Sequence, residues 1–144
     1  MKIADPWKQI ITEQFLKTTI RTPSRFSLPP SSQRFLLEQM CRAFPLNKSI
    51  QIRPLRLAGL RAEEIKPETE ATQLILHIHG GAFFLGSMNT HRAFVSDLAA
   101  STQMQVIHLD YPLSPEHPYP EAIDALFDVY LLLLEQGIQA KDII

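Results

Sequence analysis

The chain has 144 residues, enough for one domain with a buried core, and 45% of them are apolar against 20% charged. A net charge of -1 provides no basic field to hold nucleic acid or an anionic membrane, so neither is expected as a partner. The single cysteine, Cys41, excludes an internal disulfide and suits a reducing compartment; MKIADPWKQIITEQ has no signal-like apolar core and no later run is of membrane-spanning length, so a soluble, cytoplasmic protein is expected.

Residues 1–46 read as a helical segment. Asp5 is placed to cap a helix, Pro6 suits its first position, and Trp7, Ile10, Ile11 and Phe15 share a face. The stretch TPSRFSLPP breaks the pattern as a loop. A second amphipathic helix is expected over residues 32–44, with Phe35, Leu36, Met40, Ala43 and Phe44 inward and Pro45 ending it. Trp7, Phe35 and Met40 read as core rather than as a substrate pocket.

From Ile50 the period changes, and residues 47–144 read as a second unit. IQIRPLRL and LRAEEIKP suggest two strands, each interrupted or ended by proline and therefore expected at a sheet edge. QLILHIH is a near-continuous apolar strand, HRAFVSDLAAST a helix with Phe94, Val95, Leu98 and Ala99 on one face, and MQVIHLDY a further strand. Pro120 opens a long helix on which Ile123, Leu126, Phe127, Tyr130, Leu131 and Leu134 follow the three-and-four spacing, with Gly137 as its stop. The final KDII begins another apolar segment. Strand, helix, strand, helix and new strand make an α/β layer with parallel crossover units, whose ligand sites lie at the carboxyl ends of the strands.

The stretch HIHGGAFFLGS, residues 77–87, occupies such an end. A glycine pair directly after a buried strand lets backbone amides, instead of side chains, face a ligand, which suits an anion or a carbonyl oxygen becoming one. HGGAFFLGS followed by THR, and then LDYPLSPEHPYPEAIDA, resembles the hormone-sensitive-lipase-like branch of the α/β-hydrolase esterases, whose two motifs usually read H-G-G-G and D-Y-R-L-A-P-E-x-P-x-P. The resemblance implies a partial α/β-hydrolase fold with an N-terminal helical cap, a small-molecule ester as substrate, and neither cofactor nor metal. It also implies that Gly81 and Ala82 supply backbone amides to an oxyanion hole, that Gly80 permits the turn, and that His79 braces the loop. Two positions depart from the pattern. Ala82 replaces the third glycine and must avoid a positive φ or bear roughly 1 kcal/mol of strain. Pro112 replaces the arginine after Asp-Tyr, which removes a long cation and a backbone donor.

The catalytic centre such a fold requires is missing from these residues. Its serine sits in G-x-S-x-G, yet the glycines are at 59, 80, 81, 86 and 137, no two of them four apart. The triad follows in the order Ser, Asp or Glu, His, so the histidines and aspartates here all fall before the gap. The chain therefore reads as the N-terminal portion of a carboxylesterase, ending before its nucleophile, with association expected through an unpaired sheet edge or with a C-terminal half. A non-catalytic binding module on the same half-fold is the alternative. A third reading, a metal enzyme using His77 and His79, needs a further ligand such as Cys41 or Asp110 brought in by folding. By itself His77 reads as a buried strand histidine, and Asp110, Glu116 and His117 as members of a proline-stiffened loop. Phe83 and Phe84 read as packing residues, one of them free to face the acyl or alcohol group of a substrate.

Overall fold

The computed structural model describes residues 28–68 and 73–144. In chain order these form helix α1 (Pro30–Cys41), strands β1 (Ile50–Leu57), β2 (Leu60–Pro67) and β3 (Leu74–His77), helix α2 (Met88–Thr102), strand β4 (Gln105–Asp110), helix α3 (Glu121–Glu135) and a 3-10 turn at Ala140–Asp142. The helix expected after Asp5, with Trp7 on its face, lies outside the described residues.

One sheet runs through the described residues in the order β1-β2-β4-β3. β1 and β2 form a hairpin about Ala58 and Gly59, both with positive φ (46° and 83°), the backbone that a two-residue hairpin turn demands. β2 pairs antiparallel with β4, and β4 pairs parallel with β3 through the α2 crossover. The second crossover, through α3, returns the chain to β3, where Leu74 bridges Ile143 in parallel. The expected parallel units are therefore present, joined to an antiparallel hairpin.

Proline marks the sheet edge at one strand of the hairpin but not at the other. β1, with Pro54 inside it, is the edge strand, but β2 is paired on both sides because its only proline, Pro67, closes the strand rather than interrupting it.

Side-chain alternation divides the core between two faces. On one, Ala62, Leu74, Ile107 and Leu109 pack with Leu126, Val129 and Leu133 of α3. On the other, Ile65 and Val106 pack with Val95 and Ala99 of α2. Val95 and Ala99 thus face inward as the spacing predicts, whereas Phe94 is 60% exposed. For α3 the inward stripe is Ala122, Leu126, Val129 and Leu133, while Ile123, Phe127 and Leu131 are exposed. Glu121, Asp124, Asp128 and Glu135 share one face of this helix, but the apolar arc they leave is wider than the stripe the sheet covers, and the sheet takes only part of it. A larger correction concerns α1. It starts two residues earlier than expected, ends at Cys41 rather than at Phe44, and has no buried residue. Phe35, Leu36 and Phe44 face outward, and the helix meets the rest of the fold through the polar side chains Arg34 and Glu38.

Candidate active site

β3 ends at His77, and the chain continues through Ile78 and His79 to the glycine pair. The next residues close a tight loop in which the amides of Phe84 and Leu85 both donate to the carbonyl of Gly81, at 3.0 and 2.8 Å. Gly81 has φ of 132°, and Ala82 and Phe83 follow in the left-handed region at 52° and 60°. Ala82 therefore accepts the positive φ that a third glycine would adopt without strain. The amides of Gly81, Ala82 and Phe83 donate to no acceptor among the described residues. Three successive free N–H groups beyond the carboxyl end of β3 make a donor surface suited to a developing oxyanion.

The requirement for glycine falls on Gly81 and Gly86 rather than on Gly80. A Cβ on Gly81 would land on the Leu85 carbonyl, and one on Gly86 (φ 87°) would meet the Gly80 carbonyl and the His79 ring at 2.5 and 2.6 Å. Nothing lies within 4 Å of a Cβ built on Gly80.

His79 is buried, with 2% of its surface exposed, and lies beneath this loop. Its Nδ1–H donates to the Gly80 carbonyl at 2.9 Å, which assigns the hydrogen to that nitrogen, since a carbonyl only accepts. Its ring stacks on Tyr111, centroids 4.3 Å apart, and the Tyr111 hydroxyl donates to the His79 carbonyl at 2.6 Å. Burial holds the imidazole below its ordinary pKa, so it remains neutral near pH 7. These contacts connect the two sequence motifs directly. His79 and Gly81 belong to the first, and Tyr111, in LDYPLSPEHPYP, to the second.

The second motif leaves β4 at Asp110 and forms the wall opposite. Its loop contains cis peptide bonds before Pro115 and Pro120. Asp110 lies 3.6 Å from Arg61, and His117 Nδ1 lies 2.8 Å from Glu121. The Ser114 amide donates to the Phe83 carbonyl at 2.8 Å, joining this loop to the glycine loop. Between them Phe83, Ser114, His117, Tyr119, Pro120, Ala122 and Ile123 line a cavity of about 370 Å³. Phe83 thus borders open space, whereas Phe84 turns its carbonyl to Arg34, which donates to it at 2.8 Å.

Behind the loop, under α2, lies a polar layer whose composition the sequence does not reveal. Arg92 forms two hydrogen bonds to the buried carboxylate of Glu63. In register with Glu63 is His108, fully buried, and in register with His108 is His77, the two rings 4.8 Å apart and edge-on. Burial, reinforced by the neighbouring histidines, lowers His108 to about 3 and His77 to about 4. Glu63 and Arg92 are 29 residues apart, so this ion pair could be anticipated only by knowing that α2 crosses β2. Among the described residues no group of three or more His, Cys, Asp or Glu side chains is placed to hold a metal ion. His77 and His79 thus find no further ligand there, and the metal reading gains no support.

A sheet covered by helices on both faces, with parallel crossovers and a free-amide loop after β3, is the arrangement of the α/β-hydrolase fold, and the chain matches the α/β-hydrolase-fold family over residues 75–144. It is 67% identical to an esterase of Acinetobacter venetianus over all 144 residues, which are 48% of that protein. It is 37% identical over 76 residues to an acetyl-hydrolase of Streptomyces hygroscopicus, covering 53% of this chain and 25% of the relative. Among solved structures, an esterase of the bacterial hormone-sensitive lipase family superposes with a TM-score of 0.77 at 33% identity, covering 90% of this chain and 44% of that one. An esterase/lipase from an uncultured bacterium gives 0.82 at 31%, covering 93% and 45%. The chain thus has the fold of the α/β hydrolases and resembles esterases of the hormone-sensitive lipase family, spanning 48% of the Acinetobacter relative and under half of each of these solved structures. No helix among the described residues is long and apolar enough to cross a membrane.

Proposed function

We propose that this chain forms the oxyanion-binding portion of a carboxylesterase that hydrolyses small acyl esters, the serine nucleophile and its partners being supplied by sequence outside these 144 residues. The observation that carries the reading is the row of free amides at Gly81 and Ala82, held open by the hydrogen bonds from Phe84 and Leu85 to the Gly81 carbonyl. As a serine attacks an ester, the carbonyl oxygen gains charge, and amides fixed in advance stabilise it by roughly 3–4 kcal/mol per donor without reorganising. Gly80 and His79 support this loop, His79 through its neutral, buried ring and its bond to the Gly80 carbonyl. The adjoining 370 Å³ cavity, bordered by Phe83 and Ile123, matches a small apolar substituent of the ester.

The reading is tested by grafting these 144 residues in place of the matching segment of the A. venetianus relative and assaying short p-nitrophenyl esters. Turnover that a serine-directed reagent abolishes is the expected result. A graft that folds cooperatively yet shows no turnover would overturn it.

A further inference from the structure

Pro112 leaves the second motif without the cation and the amide usual at that position, yet the loop is not unbraced. The cation arrives from the other end of the chain. Arg34, on α1, donates through Nε to the Phe84 carbonyl at 2.8 Å and through Nη2 to the Ser114 carbonyl at 2.5 Å. Its Nη1 reaches the Glu116 carboxylate at 2.9 Å. One planar guanidinium thus joins three segments, and two of its partners are backbone carbonyls on either side of the Ser114-to-Phe83 bond that links the loops. Phe84 is also the residue whose amide closes the turn on Gly81. Movement of the Phe84 peptide therefore shifts the Gly81 and Ala82 amides with it.

We infer that Arg34 is a positioning residue for the oxyanion loop, setting the Gly81 and Ala82 amides from the cap helix through the Phe84 and Ser114 carbonyls. The catalytic part of this statement rests on the esterase reading above; the structural part does not. A guanidinium is required because three acceptors in different directions lie within reach of one planar fork, whereas an ammonium is a point charge. The pair with Glu116 is the lesser part, since that carboxylate is half exposed and such pairs contribute little. Cap and oxyanion loop are consequently one mechanical unit. Glu38, one turn along α1, strengthens the same seam by accepting from the Ser87 hydroxyl at 2.6 Å just beyond the loop.

The test compares Arg34→Gln, Arg34→Lys and Glu116→Gln in the full 144-residue chain by amide hydrogen exchange, and then in the grafted esterase by kinetics. Exchange at Phe84 and Leu85 should rise about tenfold in Arg34→Gln while the β4 amides keep their rates, and Glu116→Gln should remain within about twofold of the parent. Arg34→Lys, which keeps the charge but cannot span both carbonyls, should still raise exchange at the loop. In the graft, Arg34→Gln should lower kcat about tenfold, equivalent to about 1.4 kcal/mol, with KM little changed. Parental loop exchange in Arg34→Gln or Arg34→Lys overturns the inference, as does a Glu116→Gln effect equal to that of Arg34→Gln. If Arg34→Gln loosens β4 as well, the lysine variant decides. A graft without turnover counts against the esterase reading, while the exchange result still decides the role of Arg34.

Discussion

Tyr111 covers His79 with its ring and donates its hydroxyl to the His79 carbonyl, so a single side chain of the second motif grips the first at two points. Both residues are buried, which removes water as a substitute partner. Tyr111→Phe keeps the stacking and leaves a buried carbonyl without its donor. The expected cost is about 1–3 kcal/mol of unfolding free energy in urea, with faster exchange at Phe84 and Leu85, whose amides close the loop. Unchanged stability would mean that the bond does not hold the loop.

The three glycines of the loop should separate on substitution. Gly80→Ala, with open space around its Cβ, should cost less than about 1 kcal/mol. Gly81→Ala and Gly86→Ala impose a positive φ on alanine and drive its methyl into backbone carbonyls, so each should cost more than about 2 kcal/mol in a urea titration. Equal effects at all three positions would refute the loop geometry.

Acid should loosen the α2 face before the α3 face. His77 and His108, near 4 and 3 in the folded chain against an ordinary 6.5, face one another, and are joined by His91 and Phe94 of α2, Arg92 of α2 and Glu63 of β2. Their folded pKa values are depressed, so between about 6.5 and 4 the unfolded chain binds more protons than the folded one. Stability should therefore fall as pH drops through that window and be independent of these groups above it. Urea midpoints measured across the window, with His108→Phe as the comparison, check this. A midpoint that stays flat from neutrality to the lower limit would remove the histidine layer as its cause.

By itself the 144-residue chain should associate and should not hydrolyse esters. Ile123, Phe127 and Leu131 form an exposed apolar stripe on α3, and beyond the Leu74–Ile143 bridge and the Leu76–Ile144 bond the outer edge of β3 is open. Size-exclusion chromatography should show species larger than a monomer, and a p-nitrophenyl ester assay should stay at background. A monomer with a sharp urea transition would contradict the first expectation, and serine-reagent-sensitive turnover the second.

Strand positions, the α2 and α3 helices and both loop motifs were legible in the sequence. Each rests on local periodicity or on residues adjacent in the chain, such as the glycine pair directly after LILHIH and the Asp-Tyr-Pro after VIHL. Only the tertiary structure decided which apolar residues of α3 are buried, because its acidic stripe of Glu121, Asp124, Asp128 and Glu135 leaves an apolar arc wider than the contact, and the sheet selects Ala122, Leu126, Val129 and Leu133 from it. It likewise decided that α1 is held by the hydrogen bonds of Arg34 and Glu38 rather than by Phe35 and Leu36, which are exposed. Arg34 finds its acceptors 50, 80 and 82 residues away, on backbone carbonyls and one carboxylate, and a backbone acceptor leaves no trace in side-chain identity. The same reason hides the free amides of Gly81 and Ala82. Every residue but proline has an N–H, and only the closed turn determines which of them remain unpaired.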